Sequence, residues 1–214
     1  GQDVLLDLFP ASKPRDAALS VGDKCIAELT GLQGAAPGTL LGTEGKFATA
    51  YFRVWNGLEM KWKGLRQHPI PETWATFDCR SSILTGHKAK NWKAAHPINA
   101  MLNYAYACLE ADTRIKLIAE GYAPRLGILH CGDDNAQDSF VFDRMEPLRP
   151  LVDRAMLQFA LSETFHAKDF VLRSDGVCRL SPGLARVVAG RVDVPLSQPS
   201  AIRFVAKDDR QTRA

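Results

Sequence analysis

Apolar residues recur along this chain at helical rather than alternating spacing, and turn residues cut the pattern into a few long segments. Val21, Cys25, Ile26, Leu29 and Leu32 form one stripe and predict a helix from about Ala17 to Leu32. Gly34 to Gly38 reads as a loop. Thr39 opens a second helix to about Leu58, with Leu41, Ala48 and Trp55 marking its inward face. Residues 59–93, punctuated by Pro69, Pro71 and Gly86, read as irregular structure with short helices. The clearest helix runs from Pro97 to Glu120. Ile98, Leu102, Ala105, Leu109 and Asp112 trace one face, flanked by Met101, Cys108 and Ile115. Pro97 suits the first turn and Gly121 the C-terminal cap.

A short apolar segment, Leu126 to His130, leads into a loop rich in Asp and Asn, after which Ser139 is a candidate N-cap. The helix that follows carries Asp143 and Glu146, is bent or restarted at Pro147 and Pro150, and continues to about Phe165. Phe170 to Leu180 reads as a hairpin turning at Ser174-Asp175-Gly176. Ser181-Pro182 then caps a last helix to about Ala189. The pattern predicts an all-α domain, a mainly helical bundle with one small β-hairpin, over residues 15–192. Residues 1–14 read as a linker or docking segment and residues 193–214 as a peripheral tail.

Composition narrows this only a little. The chain has 214 residues, 46% apolar and 24% charged, which is ordinary for a globular protein and excludes fibrous and disordered classes. No apolar run approaches the length of a membrane span, so no membrane partner is expected. Cys25, Cys79, Cys108, Cys131 and Cys178 are scattered and form no C-x-x-C pair, which fits small thiols in a reducing cytoplasm rather than a disulfide framework or zinc ribbon.

The net charge of +3 is less informative than its distribution. Between Arg53 and Lys93, Lys and Arg outnumber Asp and Glu, and Trp55, Trp62, Trp74 and Trp92 all fall there. From His130 to Glu146 the balance reverses, with Asp133, Asp134, Asp138, Asp143 and Glu146 against Arg144. A basic, aromatic strip beside an acidic pocket suits work on nucleic acid. The alternative is a solvated basic face with its tryptophans in the core. Asp143 and Glu146 are three apart and share a helix face, and with an imidazole they make a ligand set for a divalent cation. Glu44, beside the stripe of the second helix, is either at the rim of the core or aimed into a site.

Four ordered blocks carry a resemblance. They are Glu44-Gly45-x-x-Ala48-x-x-Tyr51-Phe52, His96-Pro97-Ile98-Asn99-Ala100-Met101-Leu102-Asn103-Tyr104, Gly121-Tyr122-x-Pro124-x-x-Gly127-x-x-His130 and Phe142-Asp143-x-Met145-Glu146-Pro147-x-Arg149-Pro150. Together they resemble the catalytic domain of the CRISPR-associated protein one family, the integrase of CRISPR adaptation. The resemblance implies an all-helical nuclease and integrase domain in which Glu44, His130 and Glu146 bind one Mg²⁺ or Mn²⁺, with Asp143 an accessory catalytic acid. It departs from the family in Phe142, where many members have tyrosine, and in Glu146, where aspartate is common. The β-rich N-terminal domain through which the family dimerises has no counterpart here, so a catalytic domain alone is expected.

The activity so implied is metal-dependent insertion of protospacer DNA into a CRISPR array, by attack of a 3′-hydroxyl on a phosphodiester. Double-stranded or branched DNA and CRISPR-associated protein two are the expected partners, with a homodimer in the full-length protein. Lys88, Lys90 and Lys93 are the expected phosphate contacts, and Asn99 and Asn103 brace the site. Two alternatives stand beside this reading: a catalytically idle DNA-binding or scaffold module, and a generic nuclease for branched DNA.

Overall fold

The computed structural model describes residues 1–31, 37–80, 93–127 and 138–197. Among these, α1 (Gln2–Leu8), α2 (Lys13–Gly31), α3 (Pro37–Arg53), α4 (Pro97–Ala119), α5 (Ser139–Met145), α6 (Arg149–Ser162) and α7 (Pro182–Ser197) make a mainly helical domain. Four three-residue strands form two small sheets: β1 (Lys61–Lys63) with β2 (Thr164–His166), and β3 (Phe170–Leu172) with β4 (Cys178–Leu180).

The centre is α4, against which α5, α6 and α7 pack. Its ends are set by sequence. His96 Nδ1 accepts from the Ile98 amide at 3.2 Å, and Pro97 takes the first turn, where a missing N–H costs nothing. At the other end Gly121 adopts φ +83°, and Tyr122 N donates to Leu117 O at 2.9 Å. That left-handed cap satisfies carbonyls the helix would otherwise leave open. Ile98, Met101, Leu102, Ala105 and Leu109 are all buried, as the stripe predicts. Lower down the inward positions are Thr113 and Leu117, while Ile115 is 67% exposed. A straight helix turns by 3.6 residues, so the stripe drifts away from Ile115.

The helical hairpin α2–α3 starts earlier than its apolar stripe implies. Its buried residues on α2 are Ala18, Gly22 and Cys25, whereas Ile26 and Leu29 face outward. Small residues let the two helices approach, and Cys25 Sγ reaches Thr43 O at 3.4 Å. Residues 1–14, which alone read as a linker or docking segment, contain α1. Its Val4 and Leu5 are buried, and it packs on α6 and α2. On the rim Arg154 meets Asp7 at 2.7 Å.

The sequence predicts one hairpin, and β3–β4 is that hairpin, with Phe170 opposite Leu180 and Gly176 at φ +75°. The second sheet has no signal in the sequence pattern. β1 runs parallel to β2, pairing Trp62 with Phe165, far away in sequence. Its three residues are too few to display a period, and what holds it is side-chain packing. Trp62 stacks on Trp74 at 6.2 Å, and Phe165 and Phe170 close over the pair. Trp55 and Trp74 are buried and Trp62 is half-buried, so these three serve the core rather than a stacking platform for bases, and Trp92 lies outside the described residues.

Candidate active site

A cavity of about 700 Å³ opens between α3, the Asn56–Arg80 region, α4 and the start of α6. Glu44 lines it from α3 and Glu146 from the short 3₁₀ turn (Glu146–Leu148) that joins α5 to α6. Pro147 forces that turn, because it cannot donate to an uninterrupted helix. Asp143 and Glu146 keep their helical spacing, because the Glu146 N–H still bonds to Phe142 O before the 3₁₀ turn takes over. Glu146 lies on the cavity wall, while Asp143, half-buried on α5, is not among its described lining residues.

His130, Lys88 and Lys90 lie outside the described residues. Lys93 is described and is half-buried next to the buried Ala94. Among the described residues no three His, Cys, Asp or Glu side chains form a group able to hold a metal ion. Two carboxylates reaching one cavity from separate elements do fit a divalent cation that takes oxygen ligands.

The position of Gly127 has a local cause. A β-carbon there would lie 2.5 Å from the carbonyl carbon of Ser139 and 2.7 Å from the Phe140 nitrogen. Ser139 does not cap α5 through its side chain. Its hydroxyl donates to Arg125 O at 2.6 Å and accepts from Gly127 N at 2.9 Å. In the acidic run, Asp138 is taken by Arg114 at 2.7 Å, and those hydrogen bonds hold its carboxyl below the usual range. Glu110 shares the same guanidinium.

Asn99 and Asn103, one turn apart on α4, both grip the strand of chain that borders the cavity. Asn99 Nδ2 donates to Cys79 O at 2.8 Å, and Asn103 Oδ1 accepts from Arg80 at 2.7 Å. Cys79 and Arg80 are lining residues. The structure adds Arg80, Tyr106 and Asp153 to the wall, and gives a place there to Arg149 of the fourth block. Arg149 Nε stands 2.8 Å from Glu146 Oε1, an ion pair by distance although the N–H does not point along it. Its guanidinium lies 5.1 Å from the centroid of the Tyr106 ring, and that of Arg80 lies 5.7 Å from it. The Tyr106 hydroxyl donates to Asp153 Oδ1.

Asp153 is only 4% exposed, and burial pushes its carboxyl up to about 6 against the pull of Tyr106, Tyr51, Arg80 and Arg149. Tyr51 Oη has no hydrogen bond of normal geometry, yet it stands close enough to Asp153 for each to shift the other. The spacing held a clue: Glu146, Arg149, Pro150 and Asp153 repeat at helical intervals, and all four line the cavity.

The fold and cavity are those of a helical domain that brings carboxylates and guanidinium groups together from distant parts of the chain. The family described as CRISPR associated protein Cas1 matches residues 16–193, and the chain belongs to that family. CRISPR-associated endonuclease Cas1 1 of Archaeoglobus fulgidus is 30% identical over 171 residues, which is 78% of this chain and 45% of that protein. The Cas1 1 endonuclease of Methanospirillum hungatei is 27% identical over 144 residues, covering 66% of this chain and 37% of its own length. Among solved structures, a casposase bound to integration product superposes with a TM-score of 0.60 at 25% identity, over 76% of this chain and 43% of that one. The chain thus spans less than half the length of these relatives. No described helix is long and apolar enough to cross a membrane.

Proposed function

We propose that this chain is the catalytic part of a metal-dependent DNA endonuclease and integrase that inserts protospacer DNA into a CRISPR array. The observation that carries the reading is that Glu44 and Glu146 line one cavity in a chain of the Cas1 family. Relatives named as endonucleases, and a neighbour named as bound to an integration product, support the reaction class.

Glu44 and Glu146 would hold Mg²⁺ or Mn²⁺ with His130 as the nitrogen ligand, and Asp143 would act as the accessory acid. The cation, when bound, supplies Lewis-acid stabilisation of charge on the attacking and leaving oxygens of a phosphodiester. The chain's own residues do the rest. Arg149 compensates Glu146 before a cation arrives, and Arg80 adds a second positive group on the wall. Lys88, Lys90 and Lys93 would hold the DNA through its phosphates, a contact that weakens steeply with salt. CRISPR-associated protein two and a second copy of the full-length protein are the proposed partners.

The test is cleavage of branched DNA and joining of a short duplex to a repeat, in Mn²⁺, Mg²⁺ or EDTA. Metal-dependent cleavage and joining, lost in Glu44→Ala and His130→Ala, supports the proposal. Wild-type rates in both variants refute it. Binding without scission in every metal condition points to a scaffold, and cleavage without joining to a generic nuclease.

A further inference from the structure

Arg149 and Asp153 are opposite charges one turn apart on α6, yet among the described residues no ion pair joins them directly. Tyr106, reaching in from α4, links them instead. Its hydroxyl is held by Asp153, and its face carries Arg149, whose Nε lies against Glu146. Arg80 lies over the same ring and also 5.8 Å from the Phe52 centroid, while Asn103 fixes its guanidinium.

Each link has a physical consequence. A phenol that donates to a buried carboxylate gives up part of its proton, so its ring becomes more electron-rich and holds a cation on its face more strongly. The hydroxyl anchor also stops the ring from swinging about its side-chain bonds. A ring pinned at its edge and loaded with guanidinium groups is a rigid platform for Arg149. A glutamate beside a fixed guanidinium loses rotamer freedom before any ligand binds, so less is lost on binding. The arrangement costs the fold a buried carboxylate with no cation in direct contact, and such groups cluster at working sites.

We propose that Asp153 is a positioning residue, which fixes Tyr106 through its hydroxyl so that Arg149 on the ring sets the orientation of the Glu146 carboxylate at the cavity wall. This rests on the ligand role proposed for Glu146, and it adds the residue that holds that ligand ready.

The experiment uses the full chain, free of metal, with its arginines labelled with ¹⁵N. Arg149 Nε–H, which is shielded from solvent, should give a signal distinct from those of exposed arginines, assigned by its loss in Arg149→Lys. In Tyr106→Phe, which keeps the ring, and in Asp153→Asn, which keeps the shape, that signal should collapse to the position of exposed arginines. In the same variants the affinity for Mn²⁺, read from the paramagnetic resonance of the free ion, should fall about tenfold. Combining either variant with Arg149→Lys should cost nothing further, because both act through one contact. Thermal midpoints report whether each variant is folded. An Arg149 signal absent from the wild type, or unchanged in both variants, overturns the proposal. So does a loss of Mn²⁺ affinity no larger than the unfolded fraction explains. If Glu146→Gln binds Mn²⁺ as the wild type does, the ligand role of Glu146 fails, and the Arg149 signal still decides the positioning.

Discussion

Gly127 and Ser139 touch so closely that no side chain fits between them: the nearest backbone atom would stand 2.5 Å from an added β-carbon. The contact holds Gly127 against the start of α5. The glycine of the Gly127-x-x-His130 block is therefore explained by close approach rather than by an unusual φ.

Gly127→Ala should destabilise the domain by about 1–3 kcal/mol, the usual cost of overpacking. It should lower metal-dependent activity by more than the loss of folded protein accounts for. Urea unfolding beside a cleavage assay checks this; activity tracking only the folded fraction would leave Gly127 a purely structural glycine.

Glu44→Gln and Glu146→Gln should each weaken Mn²⁺ binding and abolish cleavage, while the thermal midpoint moves little because Glu44 is exposed and glutamine keeps the size and shape of the half-buried Glu146. Isothermal titration with Mn²⁺ is the direct measurement. Unchanged affinity in both would remove the cavity from consideration as the metal site.

Acid stability should show two opposing slopes. Asp153 is raised to about 6, so its protonation favours the fold: stability gained below the ordinary carboxylate value is lost as pH rises through 6. His96 is held down at about 4 by burial, partly countered by the backbone at Trp74, although Nε2 lacks a hydrogen bond of normal geometry. Its contribution is present above the ordinary imidazole value near 6.5 and is lost as pH falls through 4. Each is worth up to about 3 kcal/mol on the scale of 1.36 kcal/mol per unit, so the wild type should be nearly flat between pH 4 and 6. Asp153→Asn should lose stability as pH falls through that window, and His96→Asn, which can still cap α4, should gain stability as pH falls. Urea denaturation at several pH values tests both signs.

Leu5→Ala should cost about 2–5 kcal/mol, because Leu5 is fully buried beneath α1. Asp7→Ala, which removes the exposed partner of Arg154, should cost about 1 kcal/mol or less. If both are silent by calorimetry, α1 is not part of the cooperative unit.

Where a segment is long, periodic and closed by its own capping residues, the amino-acid order was enough to place it, whereas the apolar stripe of α2 turned outward. α4 with its Pro97 start and Gly121 cap, the Phe170–Leu180 hairpin and the Ser181 start of α7 follow from local rules. Ser181 Oγ indeed accepts from Leu184 N at 3.3 Å. The resemblance blocks also lead to the Cas1 family, because they record residue identity at fixed order. Three things depended on tertiary structure. The β1–β2 pairing joins two triplets that carry no period and meet only through an aromatic cluster. The helix α1 is too short to signal itself, and it forms because Val4 and Leu5 find a core. The Asp153–Tyr106–Arg149–Glu146 relay joins α4 to α6, and the long stretch of chain between them leaves no local pattern to read. A helix is decided by neighbours a few residues away, whereas a cavity wall is decided by which distant faces pack together.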